Sequence, residues 1–172
     1  MQQPSLTGIE RKLAENEIIV SKTDLKGRIT YCNDVFKLIS GYSEPELIGK
    51  PHNIIRHSDM PRSVFKLLWD TIAGGNEIFA YVKNRTRNGD YYWVLAHVTP
   101  DFDEAGKITG YNSFRRSVTP KAIKAIEPIY AGLLKEEARH ADRKAGLKAA
   151  TEQLQQLLAS KGVTYDQFVL GL

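Results

Sequence analysis

Histidines at positions 52, 57, 97 and 140 and a single cysteine, Cys32, are the metal-ligand and nucleophile types whose spacing can be tested first. His52 and His57 lie five residues apart in a stretch bounded by Pro51 and Pro61, so no helical face brings them together, and the metal signal is weak. One cysteine leaves no disulfide within this chain and no multi-cysteine metal site. Cys32 sits in an alternating apolar run, where it reads as small core filler. No phosphate-cradling GxxxxGK[ST], no GxSxG and no HExxH occurs, so the local machinery of these enzyme classes is missing and no catalytic activity is expected. Arg85, Arg87, Arg115 and Arg116 are the candidates for a basic patch. The balance of 24 Lys+Arg against 20 Asp+Glu, a net +4, with both signs mixed in the C-terminal stretch, argues against a nucleic-acid partner.

Other polar and aromatic positions have structural readings first. Asn33 precedes a short apolar helix and suits its N-cap, and Asp59 before Met60-Pro61 does the same for a longer one. Trp69 falls on the apolar face of that longer helix. Arg56 and His57 belong to a loop, and Asn84 stands where a hairpin begins.

The elements that must position these residues follow from changes of period. Residues 1–17 hold Leu6, Ile9 and Leu13 at helical spacing behind a Thr7-x-x-Glu10 capping box, which predicts a short amphipathic cap helix. Residues 18–118 alternate between strand and helix patterns. Two short strands, Glu17–Lys22 and Arg28–Cys32, flank the turn Asp24-Leu25-Lys26-Gly27. Short helices follow, with Gly41 closing the first and Gly74-Gly75 the longest. Ile78–Arg85 and Tyr91–Thr99 flank Asn88-Gly89, a strong hairpin signal, and Lys107–Arg116 is the last strand. This order predicts an α+β fold, a five-stranded antiparallel sheet with short helices on one face, in which the first hairpin closes beside the last strand. Residues 119–172 are helical. Thr119-Pro120 starts them, Pro128 predicts a kink or a restart, and Leu147, Ala150, Leu154 and Leu157 form a seam of about two heptads that fits a homodimer contact. With 42% hydrophobic residues, no apolar run near ~20 residues and a polar N-terminus, the composition points to a folded cytoplasmic protein without membrane insertion.

Joint motifs then become specific. Asn33-Asp34-x-Phe36, Ser40-Gly41-Tyr42 and Glu46-Leu47-x-Gly49, with Lys83–Gly89, Tyr92-Trp93 and Val98-Thr99-Pro100, closely resemble the PAS domain family over about residues 18–119. Pro51-His52-Asn53-Ile54-Ile55-Arg56-His57-Ser58-Asp59-Met60-Pro61 resembles a segment of aerotaxis-receptor sensor domains, which bind FAD and report redox state. Ser58 stands where that group usually has proline. Trp69, Asn84 and the Ala125–Tyr130 stretch match the same group. In the light-oxygen-voltage branch a cysteine bonds the flavin, and His52 falls at that position here, so no such adduct is expected.

The resemblance implies a PAS sensor module holding FAD non-covalently, with FMN, haem or no cofactor as alternatives. It would signal to a protein partner, a receptor or kinase component, through its flanking helices. An empty interaction module is the competing reading. For a flavin, Asn84 offers a donor and an acceptor to the ring's polar edge. Ile78, Ala80 and Val82 share its face as apolar wall, and Trp69 offers a flat surface. Arg56 and His57 suit phosphate or ribose, Asp59 fixes their loop, and Asn33 and Arg115 complete the expected site.

Overall fold

The structure, a computed structural model, describes residues 4–172. Five strands form the sheet: β1 (Ile19–Asp24), β2 (Ile29–Cys32), β3 (Ile78–Arg85), β4 (Tyr91–Phe102) and β5 (Ile108–Arg116). All neighbours are antiparallel in the order β2-β1-β5-β4-β3, so the first hairpin does close beside the last strand. Aspartates tie two of the turns. Asp24 Oδ1 accepts from the amides of Lys26 and Arg28, and Asp103 Oδ1 from those of Ala105 and Lys107. β4 continues past Pro100, where the sequence predicts its end. Pro100 pairs with Tyr111 of β5, while β3 has already stopped opposite Val98, so the missing N–H falls on a free edge where proline is tolerated.

Three helices lie between the second and third strands: α1 (Asp34–Ser40), α2 (Glu44–Leu47) and α3 (Arg62–Ala73), with a 3-10 turn at His52–Ile55 before α3. Asn33 caps α1, its Oδ1 accepting from Phe36 N at 3.1 Å. Asp59 does not cap α3, contrary to expectation. The N-cap position is Pro61, and the Ser63 amide is taken instead by Glu137 Oε1 at 2.9 Å, a partner 74 residues away. A buried carboxylate from another element replaces the local cap and frees Asp59 for a different contact.

The expected N-terminal helix is absent from the described part of residues 1–17. Residues 4–12 instead lie along the β3–β4 hairpin as irregular chain, turned at Gly8 and bridged in parallel from Glu10 to Tyr91. Thr7 N donates to Gly89 O at 3.0 Å, Tyr91 N to Ile9 O at 2.9 Å and Arg11 N to Tyr91 O at 2.7 Å. The Thr7 hydroxyl and Arg11 Nε both reach the Asp90 carboxylate, so the capping-box residue is spent on the hairpin. A helix this short is marginal alone, and strand-edge amides and carbonyls offer it better partners. Gly89 permits the approach: a Cβ there would lie 2.1 Å from the Ser5 carbonyl oxygen.

The C-terminal region folds as α4 (Pro120–Ala138), α5 (Arg143–Lys161) and α6 (Tyr165–Leu170). α4 runs through Pro128 as one helix, because burial of Ile126, Tyr130 and Leu133 on one face outweighs the lost hydrogen bond. The predicted seam is also used differently. Ala150 and Leu154 are buried within this chain, where α5 packs on α4 and α3, while Leu147 and Leu157 stay half-buried. α4 and α6 cover the free edge of β3: Tyr130 Oη donates to Tyr81 O at 2.6 Å, and Asp166 Oδ1 accepts from Phe79 N at 2.9 Å. Among the described residues no helix is long and apolar enough to cross a membrane.

Candidate functional site

A cavity of about 520 Å³ opens between α3, the 3-10 turn and the inner face of the sheet. Its size is that of small-molecule and cofactor sites. Strand alternation builds its floor, with Val82 and Asn84 from β3, Ala96 and Val98 from β4, and Tyr111, Ser113 and Arg115 from β5. Ile55, Phe65, Leu68, Trp69 and Ile72 form the helical wall.

Four of the seven expected site residues meet here: Arg56, Trp69, Asn84 and Arg115. Asn84 is buried, and an isolated bridge pairs its backbone with that of Arg56, which ties the loop to the strand. Arg56 lies with its guanidinium 4.2 Å over the Phe65 ring, and burial lowers its pKa. Trp69 is 37% exposed, edge-on to Tyr111 at 5.5 Å. A Cβ at Gly27 would lie 2.8 Å from the Trp69 ring, so only glycine lets the indole close over this end. Trp69 therefore lies over the cavity rather than filling it.

Arg115 is 2% exposed, and burial pushes its pKa down to about 10. One Nη donates to Ser21 Oγ, and the guanidinium faces the Phe36 ring at 4.6 Å. Its Nε and other Nη have no hydrogen-bond partner among the described residues. Ser21 Oγ lies 3.1 Å from His52 Nε2. Which of the two donates depends on the imidazole tautomer, and a neutral imidazole can do either. Burial, with the Arg115 charge beside it, pushes the His52 pKa from 6.5 down to about 3. Folding therefore excludes a proton that the unfolded chain takes up below pH 6.5. We expect the stability contributed by this group to be intact above pH 6.5 and to be lost progressively as pH drops from 6.5 toward 3. Urea unfolding of His52→Gln should show a shallower acid limb than the unsubstituted chain; identical limbs would remove His52 as the cause.

The other three expected residues stand outside the cavity walls. Asn33 is used up structurally, with Oδ1 accepting from Val20 N and Phe36 N and Nδ2 donating to Ile18 O. His57 is buried on the far side of its loop, edge-on to Tyr91 at 6.0 Å, with Nδ1 accepting from Asp59 N. Burial lowers its pKa. Asp59 takes Lys83 Nζ at 2.7 Å; burial pushes its carboxyl up, but Lys83 outweighs this and leaves it below the usual range. The physical reason is strand parity: Lys83 projects to the face opposite Asn84, and the loop follows it around the strand edge. His57 and Asp59 thus latch the loop that presents Arg56.

Sequence reasoning missed Ser21, His52 and Arg62 as lining or supporting groups. Alternation of Ile19, Ser21 and Thr23 could have put Ser21 on the inner face. Cys32 is buried in β2 with its thiol pKa raised by burial, and no cysteine lines the cavity. Among the described residues no group of three His, Cys, Asp or Glu side chains is placed to hold a metal ion.

Comparison with known proteins agrees with this architecture. A family model described as PAS fold matches residues 29–115. The aerotaxis receptor of Escherichia coli (strain K12) is 45% identical over 130 residues, 76% of this chain and 26% of that receptor. A nitrogen fixation regulatory protein of Klebsiella pneumoniae is 26% identical over 102 residues, 59% of this chain and 21% of that protein. The chain thus spans about a quarter or less of these relatives' length. The dark structure of the blue-light photoreceptor Aureochrome1 LOV superposes with a TM-score of 0.57 at 23% identity, covering 62% of this chain and 80% of that one, a likeness of fold alone. Helices closing a cavity over one face of a sheet ordered β2-β1-β5-β4-β3, together with that match over half the sequence, make this chain a member of the PAS family.

Proposed function

We propose that the chain is a sensor module that holds a flavin, FAD, non-covalently in this cavity and reports its redox state to a signalling protein through the C-terminal helices. The observation that carries the reading is Arg115, a buried guanidinium with two nitrogens unpartnered in a cofactor-sized cavity. An uncompensated buried charge is costly, and a group that gains electron density against it offsets that cost. A bound flavin supplies electron exchange and a ring edge of mixed donors and acceptors. Asn84 orients that edge, Val82, Ala96 and Val98 exclude water from it, and Trp69 covers the opening.

Transmission follows from β3. Val82 and Asn84 face the cavity, while the Phe79 amide and Tyr81 carbonyl are held by Asp166 and Tyr130. A shift of Asn84 along the strand therefore reaches α4 and α6 through two hydrogen bonds. The named relatives, an aerotaxis receptor and a nitrogen fixation regulatory protein, support a signalling role. The test is the visible spectrum of the purified chain after incubation with FAD, before and after dithionite. Bound flavin absorbance that bleaches on reduction is expected, and its absence after incubation counts against the proposal. His52, neutral and in the cavity wall, is the group a haem would need, and a haem spectrum would select that reading instead.

A further inference from the structure

Arg62 belongs to two parts of the molecule at once. It lines the mouth of the cavity, while its Nε donates to Glu137 Oε2 at 3.0 Å and one Nη to the carbonyl of Arg143 at 3.1 Å. Glu137 is near the end of α4, and Arg143 is the first residue of α5. The second carboxylate oxygen of Glu137 closes the first turn of α3 through the Ser63 amide. One guanidinium therefore joins the cavity wall to the α4–α5 corner.

The charges at this mouth do not balance. Arg62 is paired with Glu137, while Arg56 donates to the Met60 carbonyl and has no carboxylate within ion-pair distance among the described residues, which leaves a surplus positive charge to which Lys26 of the lining adds. Lys66 is already paired with Asp70. The second Nη of Arg62 has no partner among the described residues. A planar fork held on two sides, with a third donor free, is preorganised for a phosphate oxygen.

We infer that the cavity mouth recognises the phosphates of its ligand, and that Arg62, positioned by Glu137, couples their binding to the docking of the α4–α5 corner. The inference deepens the flavin reading, on which it rests for the identity of the phosphate carrier. Glu137 and the Arg143 carbonyl restrict the guanidinium before the ligand arrives, which lowers the ordering cost of binding. By linkage, the bound phosphates hold the corner in place in return.

The full chain is tested with FAD, riboflavin and adenosine diphosphate, reading affinity by fluorescence or calorimetry and hydrogen exchange over residues 139–146. Saturating FAD should slow exchange at the corner, and saturating riboflavin, which lacks phosphate, should not. Arg62→Gln should weaken FAD about tenfold, leave riboflavin within about twofold and erase the exchange difference. Arg62→Lys, which keeps the charge but not the fork, should recover part of the affinity and none of the protection. Equal protection by both flavins, or protection that survives Arg62→Gln, overturns the inference while the flavin reading stands. If neither flavin binds but adenosine diphosphate slows exchange, the flavin reading fails and the phosphate site is upheld. If no probe binds, both fall.

Discussion

Arg115→Met should make the ligand-free protein more stable and the flavin-binding protein worse. Among the described residues the buried guanidinium has only Ser21 as a hydrogen-bond partner and no carboxylate to balance it. Replacing an uncompensated buried charge by an apolar side chain of similar length removes a desolvation cost of several kcal/mol, less the Ser21 bond and the contact with Phe36. A net gain of about 2 kcal/mol raises the melting temperature by about 4–8 °C in a chain of this size. Affinity for FAD should fall about tenfold to a hundredfold, the worth of one charge-assisted hydrogen bond. The midpoint potential should also move negative, because a positive charge near the ring no longer favours added electron density. Melting curves without ligand, flavin titration and a redox titration read the three effects. A large loss of ligand-free stability would show that Arg115 is part of the scaffold, and unchanged affinity would remove it from the site.

Asn84→Asp tests the same sheet floor from β3. The side chain is buried in the cavity, and the substitution replaces an amide donor by a carboxylate with no donor at all. It brings a negative charge to a pocket whose only deeply buried cation among the described residues is Arg115, so it offsets the positive charge that would favour a ring gaining electron density. The expected result is at least a tenfold loss of FAD affinity, with a more negative midpoint potential in whatever binds. Because Arg115→Met and Asn84→Asp act on one electrostatic feature, the double variant should lose much less than the sum of the two. Full additivity would mean that the two groups touch the ligand independently, and unaltered binding and potential in Asn84→Asp alone would exclude Asn84 from the site.

Much of the strand pattern could be read from local rules. Asn88-Gly89 and the Asp24–Gly27 turn set the hairpins, and alternation along Ile78–Asn84 placed Asn84 with the apolar wall before any coordinates. Its place on the last strand makes Arg115 a candidate, yet nothing local shows that it is buried without a counter-ion. That depends on β1 and β5 lying side by side, which brings Ser21 and the turn bearing His52 against it.

Where tertiary partners compete with local preference, the sequence reading failed in a consistent way. Residues 4–12 have helical spacing but lie against a hairpin edge, whose free amides and carbonyls take up their backbone hydrogen bonds. Asp59 has the type and position of an N-cap, but Lys83 draws it around the strand edge and Glu137 supplies the cap from far along the chain. The heptad seam identifies α5 and the face it buries, not the surface that covers it, and α4 and α3 of the same chain cover Ala150 and Leu154. Composition, turn residues and periodicity thus determined which segments are strands and helices and which faces are apolar, since these depend on neighbours a few residues apart. The cavity, its unpaired cation and the Arg62 link to the C-terminal helices were decided only by tertiary structure, because each is made by groups tens of residues apart whose charges and hydrogen bonds meet only after the sheet has closed.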